Sequence, residues 1–251
     1  MNIEKIEKEL GILGIAAPKI YFYDETDSTN TRAREFAREN PGVSAIFIAD
    51  CQTAGRGRRG RSFVSNRGAG IYISFLIYPE ENATDFVQIT AKAAVSLSRA
   101  IESLCKCKIQ IKWVNDLYLG GKKLAGILTE GEINSEGKMP YQVVGMGINV
   151  YKNAISDEIS GIATSLENEI NDVPDRAGLA AKIIAEFLNP GGDYYSEYKS
   201  RLFVIGRDIT VIKLSESYKA RVTGLNPDFS LLIDRDGKEE NLFTGEISIK
   251  L

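Results

Sequence analysis

Two stretches of this chain carry residue types that could do chemistry: GRGRRGR at Gly55–Arg61 and KWVNDLYLGGKKLAGIL at Lys112–Leu128. The first sets four arginines on a glycine-rich backbone, and the second sets lysines and an Asn-Asp pair around a Gly-Gly turn. Glycine lets the main chain approach a ligand and present successive N–H groups, while arginine forks neutralise phosphate or carboxylate oxygens. Together they read as an anion site. The chain contains no histidine, which removes Ser-His and Cys-His nucleophile pairs, histidine metal sites and an imidazole base. Two kinds of function fit what is left. A carboxylate could attack the α-phosphate of a nucleoside triphosphate, with the protein supplying position and charge. Alternatively, the Arg/Gly loop could simply hold RNA phosphates. No P-loop motif is present, and although Gly55, Gly57 and Gly60 match G-x-G-x-x-G, the following RSFVSNRGAG does not open a helix as a dinucleotide fingerprint requires.

Residues of this kind need a scaffold, and the periodicities supply one. Ile20–Tyr23 reads as a short strand, followed by Asp27, Ser28 and Thr29 as N-cap candidates for a helix whose face carries Ala33, Phe36 and Ala37. Capping alone would account for Ser28, Thr29 and Asn30 at this level. Ala45–Ala49 is a compact strand running into the arginine loop, and Ile71–Ile77 is a core strand. Apolar residues from Val87 to Leu104 recur at spacings of three and four, which predicts a long helix over Phe86–Leu104. Ile109, Ile111 and Trp113 alternate as in a strand, Gly120-Gly121 turns into Leu124–Leu128, and Tyr141–Val150 forms a further strand. Helices are expected over Leu179–Leu188 and Tyr194–Phe203, beyond the Pro190-Gly191-Gly192 break. Short strands then follow at Ile209–Leu214, Tyr218–Leu225, Ser230–Ile233 and Leu242–Ile249, with Asp236-Gly237 as a turn. The pattern predicts an α+β domain over residues 1–203 and a small β-barrel over 204–251. Residues 1–19 read as a short helix and a packing strap with Ile12, Leu13 and Ile15 as its apolar part.

The totals narrow the setting. The 251 residues are 43% hydrophobic and 26% charged with a net charge of −3, so general affinity for nucleic acid or an anionic membrane is not expected. Cys51, Cys105 and Cys107 are read as reduced thiols, because no second ligand cluster completes a zinc site. No leader pattern and no apolar run of membrane-spanning length is present, so a cytoplasmic location is the default expectation. About 26 residues precede Asp27, fewer than a winged or helix-turn-helix domain needs, and no DNA binding is expected.

Five motifs in order then make a resemblance specific: DSTN at Asp27–Asn30, QTAGRGR at Gln52–Arg58, KWVND at Lys112–Asp116, KLAGIL at Lys123–Leu128 and GMGIN at Gly145–Asn149. This order resembles the biotin–protein ligase family over about residues 20–170, with ATSL at Ala163–Leu166 and GEIS at Gly245–Ser248 extending it weakly. The resemblance implies a fold similar to the class II aminoacyl-tRNA synthetase core with a C-terminal SH3-like barrel. It implies activation of biotin with Mg-ATP to biotinyl-5′-AMP and transfer to a lysine of a biotin carboxyl carrier protein. Carried over by position, biotin would meet Ser28, Thr29, Asn30, Gln52, Arg56, Gly57, Arg58, Lys123 and Gly126. ATP would meet Arg58, Arg61, Phe63, Lys112, Asn115 and Asn149. Arg58, Lys123 and Asp116 would be catalytic, and Asp116 would hold Mg²⁺ or orient the incoming amine. These types suit the task, since hydroxyls and amides can pair with an uncharged ureido ring while Arg58 and Lys123 hold oxyanions. Two positions depart from the family pattern. Phe63 stands where a tryptophan is common, and Val114 replaces a proline. A lipoate or octanoate ligase or transferase of the same fold is the nearest alternative, an RNA-binding module the more distant one, and the resemblance also implies a homodimer formed through sheet edges.

Overall fold

A computed structural model describes residues 1–78, 86–132, 139–189, 191–213, 216–243 and 245–249. The larger sheet consists of β1 (Lys19–Tyr23), β2 (Ala45–Ala49), β3 (Gly70–Ile77), β4 (Gln110–Lys112), β5 (Asp116–Leu119), β6 (Lys122–Gly131) and β7 (Gln142–Asn149), in the order β1-β2-β3-β7-β6-β5-β4. Only β1 and β2 run parallel. The helices are α1 (Ile3–Ile12), α2 (Thr29–Glu39), α3 (Phe86–Leu104), α4 (Leu166–Glu169), α5 (Arg176–Leu188) and α6 (Tyr194–Arg201). A smaller antiparallel sheet follows: β8 (Asp208–Ile212), β9 (Ser217–Leu225), β10 (Leu231–Arg235), β11 (Lys238–Leu242) and β12 (Glu246–Ser248), in the order β11-β10-β9-β8-β12. The expected α+β plan is therefore present as a mixed sheet with helices and a C-terminal antiparallel sheet.

The two faces of the larger sheet do different work. Side chains alternate across a strand, so Ile71, Ile73 and Phe75 of β3 join Ala125, Ile127, Val144 and Ile148 in a core covered by α3 and α5. Alanines at 91, 93, 94 and 100 keep α3 thin enough for α5 to pack close, and Phe75 meets Phe187 with ring centroids 4.4 Å apart. The opposite face is apolar only toward one end, where Phe47, Leu76 and Val143 meet Ala33 and Ala37 of α2. Farther along that face the register sets Tyr72 and Ser74 against Gly147 and Gly145, and these against Gly126 and Leu128. Small and polar residues there leave room under the N-terminus of α2 and the arginine loop.

Several expectations shift in detail. The buried residues of α1 are Ile6 and Leu10, packed on the main core, whereas Ile12 is 70% exposed. Trp113 does not extend a strand. Strand β4 ends at Lys112, and the indole drops into the core with Nε1 donating to the Phe229 carbonyl at 2.8 Å, which satisfies a donor that burial would otherwise strand. The final run Leu242–Ile249 divides, with β11 ending at Leu242 and β12 starting at Glu246. Leu214, at the end of one expected strand, and Pro190 lie outside the described residues. The Gly120-Gly121 and Asp236-Gly237 turns form as expected, with positive φ at all four residues.

Candidate active site

The floor of the site is built from side-chain hydrogen bonds, most of them between uncharged groups. Ser28 is the N-cap residue of α2, yet its side chain makes no capping bond. Capping therefore does not explain it, and its hydroxyl is left beside a cavity that Thr29, Asn30 and Gln52 also line. Thr29 N donates to Gln52 Oε1 at 2.8 Å, and Gln52 Nε2 donates to Ser65 Oγ at 2.9 Å. Ser74 Oγ donates to Asn30 Oδ1 at 2.6 Å and lies 2.7 Å from Thr29 Oγ1. Asn30 Nδ2 donates in turn to Glu130 Oε2 at 2.8 Å and the Leu128 carbonyl at 3.2 Å. Side chains are missing from β7 where neighbours come closest: a Cβ at Gly145 would collide with the Asn30 amide, and one at Gly147 would stand 2.6 Å from the Phe63 ring. This cavity holds about 480 Å³ of space and is lined also by Arg56, Gly57, Arg58, Lys123 and Gly126.

A second cavity of about 580 Å³ adjoins it, lined by Arg58, Arg61, Phe63, Lys112, Asn115, Asp116 and Lys123, with Glu246 from the smaller sheet. Gly57, Arg58, Phe63, Asn115 and Lys123 line both, so they mark the junction. Arg58 Nη1 donates to Asn115 Oδ1 at 3.1 Å and Nη2 to the Gly245 carbonyl at 3.3 Å. Lys123 Nζ lies 2.7 Å from Asp116 Oδ1, and Arg61 Nη1 lies 2.6 Å from Glu246 Oε1. Asn115 Nδ2 also donates to Asp116 Oδ1 at 3.0 Å and to the Ile127 carbonyl at 3.1 Å. The segment presenting Asn115 and Asp116 is anchored from behind by Trp113 and by buried Tyr198, whose hydroxyl donates to the Val114 carbonyl at 3.1 Å. The Trp113–Val114 peptide is cis. Burial lowers the Arg58 guanidinium from its ordinary value, opposed by the charge of Asp116. Burial likewise lowers Lys112, opposed by Asp116 and Glu246. Both cations are therefore destabilised until an anion arrives.

All the residues that the sequence assigns to biotin line the first cavity, and those assigned to ATP line the second except Asn149. That residue is buried behind the site and donates Nδ2 to the Thr164 carbonyl at 3.1 Å, while Thr164 N donates to the Lys123 carbonyl at 2.9 Å. The ATSL motif thus props the strand that carries Lys123. Ser74 and Glu130 escaped the sequence reading. Ser74 was detectable as the one small polar residue inside IYISFLI, whereas Glu130 is recognisable only once β6 is aligned against β7. Among the described residues no group of three Asp, Glu, Cys or His side chains could hold a metal ion, and no helix is long and apolar enough to cross a membrane.

The arrangement offers neutral hydrogen-bonding groups at one end and cations at the junction and beyond. The sequence profile of the Biotin/lipoate A/B protein ligase family matches residues 22–149, a span that contains the whole floor. The chain belongs to this family. Among its relatives, the bifunctional ligase/repressor BirA of Bacillus subtilis is 30% identical over 240 residues, covering 92% of this chain and 74% of that protein. The biotin–[acetyl-CoA-carboxylase] ligase of Mycobacterium tuberculosis is 30% identical over 199 residues, covering 74% and 72%. The biotin protein ligase from Aquifex aeolicus, solved in complex with biotin and ATP, superposes with a TM-score of 0.77 at 27% identity over 92% of this chain and 97% of that one. A structural neighbour of this ligase-family chain thus binds biotin and ATP together.

Proposed function

We propose that this protein is a biotin–protein ligase, which activates biotin with ATP to biotinyl-5′-AMP and then transfers the biotinyl group to a lysine of a biotin carboxyl carrier protein. The observation that carries the reading is the meeting, at Arg58, Asn115 and Lys123, of a cavity floored by hydroxyls and amides with a more strongly cationic one. A ureido ring can use the hydroxyls and amides of Ser28, Thr29, Asn30 and Gln52. The dithiolane of lipoate offers this polar wall no comparable hydrogen-bond partner, so the ureido ring gains more from it than lipoate does. The relatives named as biotin ligases and the biotin complex of the Aquifex protein support the same reading.

In the first step a carboxylate oxygen attacks the α-phosphorus, the bond to the β-phosphate bridging oxygen breaks, and pyrophosphate leaves. Arg58 and Lys123, at the junction, face both the carboxylate and the α-phosphate and stabilise the charge that builds on the phosphoryl oxygens. Arg61 and Lys112 hold the rest of the nucleotide, and Phe63 stacks on adenine. In the second step a lysine amine attacks the acyl carbon, AMP departs, and Asp116 orients the amine or accepts its proton. Magnesium brought with ATP would supply further charge neutralisation, and Asp116 is the carboxylate that would hold it. For Asn149 to touch the nucleotide its amide must leave Thr164. Residues 1–203 form the catalytic unit in this reading and 204–251 an SH3-like barrel. The test is ATP–pyrophosphate exchange: biotin supports it and lipoate does not replace biotin, and exchange with lipoate alone would reverse the assignment.

A further inference from the structure

We propose that Glu130 is a positioning residue of the acid cavity, acting through Arg56 and Asn30. It rests on the biotin reading of that cavity. Glu130 stands on β6 beyond the stretch paired with β5, which reaches only to Gly126. One of its carboxylate oxygens, Oε2, accepts from Arg56 Nη2 at 3.0 Å and from Asn30 Nδ2 at 2.8 Å. That single atom therefore joins the first arginine of the loop to the first turn of α2, residues 26 positions apart in sequence but walls of the same cavity.

The geometry makes this more than a surface ion pair. The Glu130 side chain is only 23% exposed, and Arg56 Nε is buried with no partner. The Asn30 amide is fixed in one orientation, because Glu130 and the Leu128 carbonyl take its two donor hydrogens while Ser74 donates to its oxygen. A carboxylate at position 130 enforces that orientation, since an ionised carboxylate can only accept. With the amide turned the other way, Oδ1 would face Oε2 and the Ser74 hydroxyl would keep only Thr29 Oγ1 as an acceptor. Glu130 also tethers the loop at its start, while Arg58 and Arg61 are tethered at the far side by Gly245 and Glu246. The acid cavity thus has its own anchor, independent of the nucleotide end.

The experiment uses the full chain and compares the parent with Glu130→Gln, Arg56→Ala and the double variant. The expected result for Glu130→Gln is a rise of about tenfold in KM for biotin, the size of one charge-assisted hydrogen bond. Its kcat at saturating biotin and its KM for ATP change by less than about twofold, as loss of ground-state binding requires. A merely structural role would move both KM values together. Arg56→Ala should raise biotin KM, and adding Glu130→Gln to it should cost less than the sum of the two single losses, because the carboxylate acts in part through that guanidinium and in part through Asn30. Glu130→Asp, which keeps the charge but cannot reach both partners, gives an intermediate value and serves if the glutamine variant does not fold. Biotin KM equal to the parent in Glu130→Gln, or losses that simply add in the double variant, would overturn the proposal while leaving the ligase reading intact. A parent with no biotin-dependent exchange would overturn both.

Discussion

The two halves of the site differ in how they are held before any ligand is bound. The acid cavity is a closed network in which Ser74 of β3, Thr29 and Asn30 of α2, and Gln52 and Ser65 of the segments between β2 and β3 are joined by short, partly buried hydrogen bonds. The cationic wall lies on loops and a strand end, and its charges are handled in two ways. Lys123 and Arg61 are each paired with a carboxylate, Asp116 and Glu246, as Arg56 of the acid cavity is with Glu130. Arg58 has only the neutral acceptors Asn115 and Gly245, and no carboxylate pairs with Arg58 or Lys112 among the described residues. In the proposed reading, specificity for the acid is thus preorganised in the fold, whereas part of the affinity for the nucleotide is stored as buried positive charge awaiting compensation.

Removing a cation at the junction should break the comparison most severely. Lys123→Ala is expected to slow adenylate formation by about 10²–10³-fold, the usual cost of losing one preorganised group at a developing oxyanion. Single-turnover formation of biotinyl-AMP measures it, and a loss below about tenfold would mean that Lys123 is held by Asp116 for structural reasons. Arg58→Gly should lose rate and retention together, because the same side chain ties the loop over the junction to the smaller sheet. Biotinyl-AMP should then escape and label lysines of bystander proteins such as serum albumin. An Arg58→Gly enzyme that keeps its adenylate as tightly as the parent would contradict the role given to the loop.

Much of the scaffold was legible in the sequence, for reasons that are local. The Phe86–Leu104 helix shows a strong apolar period, and the Gly120-Gly121 and Asp236-Gly237 turns need residues that tolerate positive φ. What was not legible depends on register and on contacts distant in sequence. Glu130 matters because β6 outruns β5, and Ser74 because β3 pairs with β7 opposite Gly145. Trp113 continues an alternating pattern, but its N–H finds an acceptor 116 residues away, and that contact decides where the strand stops. The apolar face of α1 was misjudged for the same reason: α5 selects Ile6 and Leu10, and no periodicity reveals which helix will lie above.

A smaller change should sharpen the picture of the acid cavity. Gly145→Ala places a methyl where the Asn30 amide lies, and overpacking of this sort costs about 1–3 kcal/mol. Asn30 must shift, so biotin KM should rise about tenfold with KM for ATP nearly unchanged. Equal weakening of both substrates in steady-state kinetics would show that the two cavities are not independent.

The smallest effect is expected at Lys112, and its sign is the informative part. Burial lowers the pKa of Lys112 from 10.5, so the protonated form is less favoured in the folded protein than in the unfolded chain. The charge therefore opposes folding at neutral pH, and that penalty is relieved as pH rises from the lowered folded value toward 10.5. Lys112→Met keeps the stem and removes the charge. It should melt higher than the parent at pH 7 without ligand, by about 2–4 °C if the relief is near 1 kcal/mol, and the gap should close as pH approaches 10.5. ATP added without biotin should reverse the order, because the phosphates compensate the lysine and have nothing to compensate in the methionine variant. In the parent, KM for ATP should rise over the same alkaline window as Lys112 loses its proton. Thermal melts with and without ATP across that range decide the matter. A variant less stable than the parent without ligand would show that Asp116 and Glu246 already compensate Lys112, and the wall would then hold one uncompensated cation, Arg58, rather than two.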